Sequence, residues 1–258
     1  MNAPAPGDGA EKALAALDDP GRISEIRAAI ARKRSLQRFY ERNYQRYGEA
    51  LARCPQAGIA LELGSGGGFA KEAIPGLITS DVLPYYGIDM VVDGTHLPFR
   101  SETLRFIGMT NVFHHVPDVE LFFAEAERCL EPGGRVLIID QHVGLISRLI
   151  LGYLHHEPYD PDAAEWRFRS DGPLSGANGA LAWIVFVRDR QRFSRLFPRL
   201  AVAAYRPHTP LSYWLAGGLK RWNLVPGWAT GAADALDAVL LRCSEELGSF
   251  ADVELIKV

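Results

Sequence analysis

Short apolar runs, separated by polar and glycine-rich stretches, dominate the middle of the chain. Continuous apolar runs of this length are typical of buried parallel strands. Between two of them, Glu120 to Leu130 has apolar residues at helical spacing on one face. Strands that alternate with helices predict an α/β domain with a doubly wound, mostly parallel sheet. The five predicted strands are Ile59 to Leu63, Leu77 to Val82, Ile88 to Val92, Leu104 to Val112 and Arg135 to Asp140.

The flanking regions show weaker patterns. Before the first strand, a single helical pattern runs from Ile23 to Arg53, with Tyr40, Tyr44 and Tyr47 on one face. These rings either pack the helix onto the core or form part of a lid over a ligand. After the fifth strand the sequence predicts a long helix, a sixth strand, a second helix and an edge-forming seventh strand, at residues 178–197, 200–205, 233–247 and 252–258.

Composition and charge narrow the class of protein. The chain has 258 residues, of which 48% are hydrophobic, and a formal net charge of -3. These values fit an ordinary globular domain and disfavour a nucleic-acid partner, which would need a basic surface. The three cysteines, Cys54, Cys129 and Cys243, form no metal-binding or disulfide spacing. The N-terminus lacks the blocks of a signal peptide, so we expect a cytoplasmic protein.

A glycine-rich turn follows the first strand and carries the clearest chemical signal. Glu62, Gly64, Gly66 and Gly68 form the pattern Glu-x-Gly-x-Gly-x-Gly. Glycines at a strand-to-helix turn let a ligand approach the main chain closely. The nicotinamide-dinucleotide fingerprint requires a glycine where this chain has Phe69, and the P-loop lysine is missing. Neither of these two phosphate-binding patterns therefore applies, and an ordinary glycine-rich turn without a ligand is the structural alternative.

Further motifs occur in a fixed order after this turn. They are Ser80-Asp81-Val82, Asp93 with Leu97-Pro98-Phe99, Asn111 with His114-His115, and Leu130-Glu-Pro-Gly-Gly-Arg. Together with the glycine turn, this set resembles the class I S-adenosylmethionine-dependent methyltransferases over about residues 58 to 141. The resemblance implies a seven-stranded Rossmann-like fold with the last strand antiparallel. One departure is the short connection after the second strand, Leu83 to Gly87, which leaves little room for a helix.

The resemblance implies S-adenosylmethionine as the cofactor and assigns residues to it. An acid at the end of the second strand, here Asp81, can accept hydrogen bonds from both ribose hydroxyls. Asp93 corresponds to the acid that the family places near the adenine amino group. The predicted cofactor-binding residues are Glu62, Gly64, Ser65, Gly66, Gly68, Asp81, Val82, Asp93, Gly94 and Asn111.

Histidines supply the candidates for catalysis. Methyl transfer to oxygen or nitrogen can need a general base, and histidine titrates near neutral pH. We predict His114 and His155 as catalytic residues, and Tyr40, Tyr44, His115 and His156 as substrate contacts. The alternative for His115 is a structural histidine that packs below the loop and is hydrogen-bonded to the backbone. We expect no metal, because no helical spacing completes a ligand set around the two histidine pairs.

The sequence predicts the chemical identity of the methyl acceptor less specifically than it predicts the type of reaction. We expect a small-molecule or lipid-linked acceptor, with residues 142–175 and the Tyr40 and Tyr44 helix around it. Trp214, Trp222 and Trp228 lie near Lys220 and Arg221, so this segment either contacts a membrane peripherally or forms a pocket wall or dimer contact. The oligomeric state is left open. The alternative functions are a non-catalytic cofactor-binding scaffold and an NAD(P)-dependent oxidoreductase.

The predicted organisation has three parts. Residues 1–56 are expected to form a disordered tip followed by a helical cap. Residues 57–141 form the cofactor-binding half of the domain. Residues 142–258 form an insertion after the fifth strand that covers the substrate, followed by the C-terminal half of the same domain.

Overall fold

The fold is built on one sheet of seven strands. The structure is a computed structural model that describes residues 19–67, 69–154, 157–170, 172, 174 and 176–258. The predicted disordered tip, residues 1–9, therefore lies outside the described residues. The strands are β1 (Ile59–Leu63), β2 (Leu77–Asp81), β3 (Met90–Val91), β4 (Leu104–Thr110), β5 (Leu130–Gln141), β6 (Leu200–His208) and β7 (Phe250–Lys257).

The strand order is β3-β2-β1-β4-β5-β7-β6. Strands β1 to β5 are parallel, and β7 pairs antiparallel with both β5 and β6. The predicted doubly wound, mostly parallel seven-stranded sheet is confirmed. The prediction that the seventh strand forms an edge is wrong, because β7 lies between β5 and β6 and leaves β6 at the edge.

Helices cover the sheet and continue beyond it. They are α1 (Ile23–Arg32), α2 (Arg34–Leu51), α3 (Ala70–Ala73), α4 (Val119–Cys129), α5 (Leu145–Tyr153), α6 (Leu181–Trp183), α7 (Arg190–Leu196), α8 (Ser212–Leu215) and α9 (Thr230–Cys243). A π-helical turn, Ile184–Arg188, joins α6 to α7, so the long helix predicted over 178–197 is interrupted. The loop 82–89 contains no helix, in keeping with its short length. None of the described helices is long and apolar enough to span a membrane.

Alternate residues of the strands pack into two separate core clusters, one on each face of the sheet. On one face Ala60 and Phe106 pack with Tyr47 of α2. On the other, Leu61 and Ile107 pack with side chains of α4, α6 and α7. The aromatic part of this second cluster consists of Phe113, Phe122, Phe123, Phe186, Phe193 and Phe197. The sheet is thus buried on both faces, which leaves the strand ends as the place for a ligand.

The N-terminal helical region is two helices, where the sequence predicted one. Lys33 separates α1 from α2 with an extended backbone, φ -117° and ψ 102°. This break buries the Lys33 side chain, and its ammonium group donates to the carbonyl oxygens of Ala216 (2.8 Å) and Gly218 (2.8 Å) and to that of Lys220 (2.5 Å). Lys33 therefore ties the segment after α8 to the junction of the two helices.

We expect Lys33→Met to destabilise the protein by about 2–3 kcal/mol, because three buried carbonyls lose a charged donor while the aliphatic volume is kept. Urea denaturation at pH 7 measures this change. Lys71→Met is the matched control, since Lys71 pairs with Asp89 at the surface and such pairs contribute less than about 1 kcal/mol. Equal losses in the two variants would show that the Lys33 contacts contribute no more than a surface pair.

Candidate active site

A crevice opens at the carboxyl ends of β1 to β5, with a volume of about 560 Å³. Ligand pockets typically measure about 300–1,000 Å³. Because parallel strands end at one edge of the sheet, the residues that follow them meet here. Gly68 lies outside the described residues. All the other predicted cofactor-binding residues line the crevice: Glu62, Gly64, Ser65, Gly66, Asp81, Val82, Asp93, Gly94 and Asn111.

The turn after β1 depends on two glycines in the left-handed region. Gly64 has a φ of +69°, and a Cβ atom there would lie 2.2 Å from the Val112 side chain. The turn is therefore packed directly against the end of β4. Gly66 has a φ of +47°, and a Cβ atom there would meet no protein atom within 4 Å. The space beside Gly66 is open, as a close approach of a ligand to the main chain requires.

Asp81 and Ser65 hold this turn against the end of β2. One Asp81 carboxylate oxygen accepts a hydrogen bond from the Gly66 amide (2.9 Å) and the other accepts one from the Leu83 amide (3.1 Å). The Ser65 amide donates to the Ser80 carbonyl (2.8 Å), and the Ser65 hydroxyl accepts from the Ser80 amide (3.0 Å). A carboxylate has about four acceptor positions, so Asp81 keeps capacity for a ligand.

Two buried polar atoms beside the turn have no hydrogen-bond partner. They are Oε2 of Glu62 and Oδ1 of Asn111. Burial, with the nearby charge of Asp81, raises the pKa of Glu62 to about 7, although a hydrogen bond from Ser65 opposes the shift. Asn111 also has a strained backbone, with a φ of 56°. Unsatisfied buried atoms are costly to a fold, and a polar ligand in the crevice would satisfy them.

The wall after β3 is more exposed. The side chain of Asp93 is 55% exposed, and its carboxylate accepts from the amide and the hydroxyl of Thr95 at 2.8 and 2.7 Å. Val82 and Gly94 are half-buried in the same lining. The Asp93 carboxylate thus closes a local turn with Thr95, and Asp93 also lines the crevice.

The three tyrosines of α2 have different surroundings. Tyr40 and Tyr44 line the crevice, whereas Tyr47 is fully buried and hydrogen-bonded to the Thr110 hydroxyl at 2.9 Å. Burial raises the pKa of Tyr40 to about 12, partly offset by a hydrogen bond from Asn111. Burial likewise raises the pKa of Tyr44 far above its usual value. Both phenols are therefore neutral donors at physiological pH. The helix packs onto the core and also faces the crevice, so both sequence-based interpretations describe part of it.

Helix α1 contacts the glycine turn directly. The Arg27 guanidinium donates to the Gly67 carbonyl (2.6 Å) and lies over the Phe69 ring, 4.9 Å from its centre. Ile26 and Ile30 of the same helix line the crevice. The sequence predicted that the Tyr40 helix covers the crevice, but it did not indicate a role for Arg27. Arg27 lies 40 residues before Gly67, and no pattern in the sequence links the two.

A histidine pair lies at the other end of the crevice. His114 Nδ1 lies 2.7 Å from the buried carboxylate of Asp140, and its Nε2 lies 3.6 Å from the Glu157 carboxylate. His115 Nδ1 lies 2.9 Å from the Gly176 carbonyl oxygen. A carbonyl can only accept, so Nδ1 of His115 carries a proton and its Nε2 has a lone pair when the ring is neutral.

The surroundings shift the pKa values of the two imidazoles in opposite directions. Burial alone would lower the pKa of His114, but the charge and hydrogen bond of Asp140 outweigh it, and with Glu157 they raise this pKa to about 9. Burial and the adjacent His114 lower the pKa of His115 to about 4. Near neutral pH the pair therefore holds one cationic ring and one neutral ring.

The structure adds residues that the sequence did not single out. Asp140 and Glu157 join His114 and His115, whereas the predicted residues His155 and His156 lie outside the described residues. The position of Asp140 at the carboxyl end of β5 could have indicated it, since ligands bind at such ends. Trp214 and Trp222 line the crevice, which supports the pocket-wall interpretation for them, while Trp228 is 89% exposed.

A family model described as a methyltransferase domain matches residues 32–178, more than half of the chain. No curated protein matches. Among solved structures, the chain is similar to geranyl diphosphate C-methyltransferase from Streptomyces coelicolor A3(2), with 16% identity, 90% of this chain and 84% of that chain covered, and a TM-score of 0.45.

Two further solved structures are similar. A putative sarcosine dimethylglycine methyltransferase from Galdieria sulphuraria has 17% identity, 86% of each chain covered and a TM-score of 0.46. A putative methyltransferase in complex with the Haloferax volcanii Trm112 methyltransferase activator has 17% identity, 86% of this chain and 92% of that chain covered, and a TM-score of 0.46.

We expect Glu62→Gln to stabilise the unliganded protein at pH 8 but to change it little at pH 4.5. The pKa of Glu62 is about 7 in the folded state against an ordinary value of 4.5. The stability linked to its proton is therefore complete below pH about 4.5 and is lost as the pH rises through about 7. Glutamine cannot ionise and avoids this loss, which is worth up to about 3 kcal/mol at about 1.4 kcal/mol per pKa unit.

Urea denaturation of wild type and variant at both pH values measures this difference. Glu49→Gln, at an exposed position of α2, is the control and should behave like the wild type at each pH. A stability difference that is the same at pH 4.5 and pH 8 would contradict the elevated pKa of Glu62.

Proposed function

The chain belongs to the methyltransferase domain family, and we propose that it transfers a methyl group from S-adenosylmethionine to a small acceptor with a large apolar part. The observation that carries this proposal is the combination of two unsatisfied buried oxygens, on Glu62 and Asn111, with the open glycine turn. A cationic nucleoside ligand would satisfy all three features. When bound, the cofactor supplies a sulfonium-linked methyl group, which an acceptor lone pair takes in line as the carbon–sulfur bond breaks and its electrons stay on sulfur.

The residues at the cofactor end fit this ligand. Asp81 has acceptor capacity left for ribose hydroxyls after bracing Gly66 and Leu83. Glu62, when ionised, would attract the ammonium group of the amino-acid tail. Asp93, Gly94 and Val82 line the side on which an adenine ring would lie. These assignments follow the family motif residue by residue, and the unsatisfied atoms of the crevice support them.

The acceptor end combines an apolar wall with a polar cluster. Ile150, Leu154, Trp214 and Trp222 supply apolar and aromatic surface. The polar cluster consists of His114, His115 and Glu157. An acceptor with an apolar body and one polar reactive group would match both parts. We therefore propose that Tyr40 and Tyr44 contact the acceptor from the side of α2, and that His115 contacts the reactive group of the acceptor.

Orientation of the acceptor is the main catalytic contribution that we propose for the protein. Alignment of two reactants can supply several kcal/mol of the barrier reduction, provided that water is excluded. His114 is the candidate catalytic residue, although its raised pKa disfavours the general-base role that the sequence predicted. Asp140 is a positioning residue that fixes the His114 ring through Nδ1. Helices α1 and α5 cover the crevice and would limit the access of water.

Exposed apolar side chains near the crevice suggest how a lipid-like acceptor could arrive. Helix α5 exposes Leu149 and Tyr153, while Leu224 and Trp228 are exposed in the segment after α8. Each segment also supplies crevice-lining residues, Ile150 and Leu154 from the first region and Leu219 and Trp222 from the second. Arg148, Lys220 and Arg221 are exposed beside them. We propose that this apolar and basic rim contacts an anionic bilayer surface.

We expect the protein to bind S-adenosylmethionine and S-adenosylhomocysteine at one site, and to bind NAD(H) far more weakly. Asp81→Asn should weaken the binding of S-adenosylhomocysteine at least tenfold, because a hydrogen bond to a charged acceptor is worth about 1.5–3 kcal/mol. Isothermal titration calorimetry measures the affinity, and the melting temperature without ligand checks that the variant folds. Formation of S-adenosylhomocysteine with a panel of amphiphilic acceptors then tests turnover.

Asp93→Asn is the control, since the Asp93 carboxylate is half exposed; its effect should be smaller than that of Asp81→Asn. A wild type that binds neither cofactor form would refute the proposed function. Normal affinity in the Asp81 variant would show that Asp81 braces the turn without contacting the ligand.

We expect the wild type to co-sediment with vesicles that contain anionic lipid and to be released as salt is raised. The double variant Leu224→Ser, Trp228→Ser should bind at least several-fold less, because it removes exposed apolar area from the rim. A double variant of Val187→Ser and Leu196→Ser removes exposed aliphatic side chains outside the crevice lining and is the control. Equal sedimentation of the two double variants, or none by the wild type, would favour an acceptor taken from solution.

A further inference from the structure

Three side chains converge at the acceptor end of the crevice in the pattern of a metal site. A ring nitrogen of His114, a ring nitrogen of His115 and a carboxylate oxygen of Glu157 all lie within 4.8 Å of one another. His114 is buried and the other two are half-buried, and all three line the crevice. Two imidazoles and one carboxylate form a ligand set that is common in metalloenzymes, where the remaining positions are open to substrate or water.

In each imidazole, the nitrogen that would not bind the ion, Nδ1, already has a hydrogen-bond partner. A metal-binding histidine almost always donates its other N–H to a carboxylate or a backbone carbonyl, which fixes the tautomer and aims the free nitrogen. His114 uses Nδ1 on the Asp140 carboxylate at 2.7 Å. His115 uses Nδ1 on the Gly176 carbonyl at 2.9 Å. Nε2 is therefore the nitrogen that each ring could offer to an ion, and that of His114 already faces the Glu157 carboxylate at 3.6 Å.

The Asp140 contact is itself well supported. Its carboxylate is fully buried and also accepts hydrogen bonds from the backbone amides of His114 (3.2 Å) and Gln141 (2.7 Å). These bonds hold the carboxylate in one orientation and, through it, the plane of the His114 ring. A binding site is most effective when such supporting contacts fix its ligands before the ion arrives.

We propose that His114, His115 and Glu157 bind a divalent transition-metal ion, of the class of Zn²⁺, at the acceptor end of the crevice. Imidazole nitrogen and carboxylate oxygen bind such an ion at about 2.0–2.2 Å, so two ligand atoms at a tetrahedral ion lie about 3.3–3.6 Å apart. The 3.6 Å between His114 Nε2 and the Glu157 carboxylate agrees with this spacing. The three ligand atoms lie within 4.8 Å of one another, so a movement of about 1–1.5 Å brings the widest pair to that spacing.

The role of the ion rests on the proposed function, whereas its binding does not. A cation here would bind the reactive oxygen of the acceptor and lower the pKa of that group, which makes a better nucleophile at neutral pH. The sequence did not predict the site, because Glu157 lies far from His114 and His115 along the chain and no local spacing links the three residues. The competing occupant is a proton that keeps His114 paired with both carboxylates.

Titration of the tag-free, metal-stripped protein with Zn²⁺ tests the proposal by calorimetry, with the visible absorption of bound Co²⁺ as a second readout. We expect one ion per chain with a dissociation constant in the micromolar range or below. His115→Gln and Glu157→Gln should each weaken Zn²⁺ binding at least tenfold. The positioning variant Asp140→Asn should weaken it about 10–100-fold. His96→Gln, at an exposed histidine, is the matched control and should bind like the wild type.

Each variant is also titrated with S-adenosylhomocysteine, which separates a lost metal site from a lost fold or cofactor site. Unchanged cofactor affinity with lost Zn²⁺ affinity supports the proposal. The absence of stoichiometric binding in the wild type would overturn it and leave the proton as the occupant. Zn²⁺ binding that survives His115→Gln and Glu157→Gln but is lost in a double variant of His155→Gln and His156→Gln, or in Cys243→Ser, would also overturn it.

Discussion

The hydrogen bond between the Gly66 amide and the Asp81 carboxylate joins the glycine turn of β1 to the end of β2. Together with the two Ser65–Ser80 hydrogen bonds, this contact fixes a turn whose glycines have left-handed backbone angles and many accessible conformations. Several other features depend on its position. Val112 packs against Gly64, and Arg27 of α1 reaches the Gly67 carbonyl. The crevice is therefore organised outward from one buried carboxylate, which explains why an acid and a glycine pattern occur together in the sequence.

The methyltransferase crevice carries groups that lower the stability of the empty fold. Burial holds the pKa of Glu62 near 7, Asn111 combines a strained backbone with an unsatisfied oxygen, and Asp140 is a buried charge. A fold optimised for stability alone would contain none of these three buried features. Their concentration at one end of the sheet is the pattern expected where local strain is retained for binding. Elsewhere the two apolar layers on the sheet, with the phenylalanine cluster in one of them, compensate for this loss.

The sequence predicted the sheet and the residues that meet beside the glycine turn better than the contacts around the histidine pair, for a physical reason. Apolar runs and glycine turns are local patterns, and motif order along the chain follows the order of the strands. No proline or glycine marks the helix break at Lys33 in the sequence. The break is stabilised by hydrogen bonds from Lys33 to carbonyls of a segment far along the chain. The place of β7 between β5 and β6 depends on pairing, which periodicity does not encode. Glu157 likewise joins His114 only through the tertiary fold.

The two ends of the crevice are built from different kinds of structure, and this difference bears on specificity. The cofactor end consists of residues at the ends of strands whose backbone is fixed by the sheet. The acceptor end is lined by α5, by the segment after α8 and by α1, which depend on a few specific contacts such as those of Lys33 and Arg27. Elements with few anchoring contacts open at lower free energy than the core. If the proposed function holds, an acceptor enters and leaves past these elements while the proposed cofactor end keeps its geometry. Changes in the covering segments would then alter the acceptor without rebuilding the cofactor site.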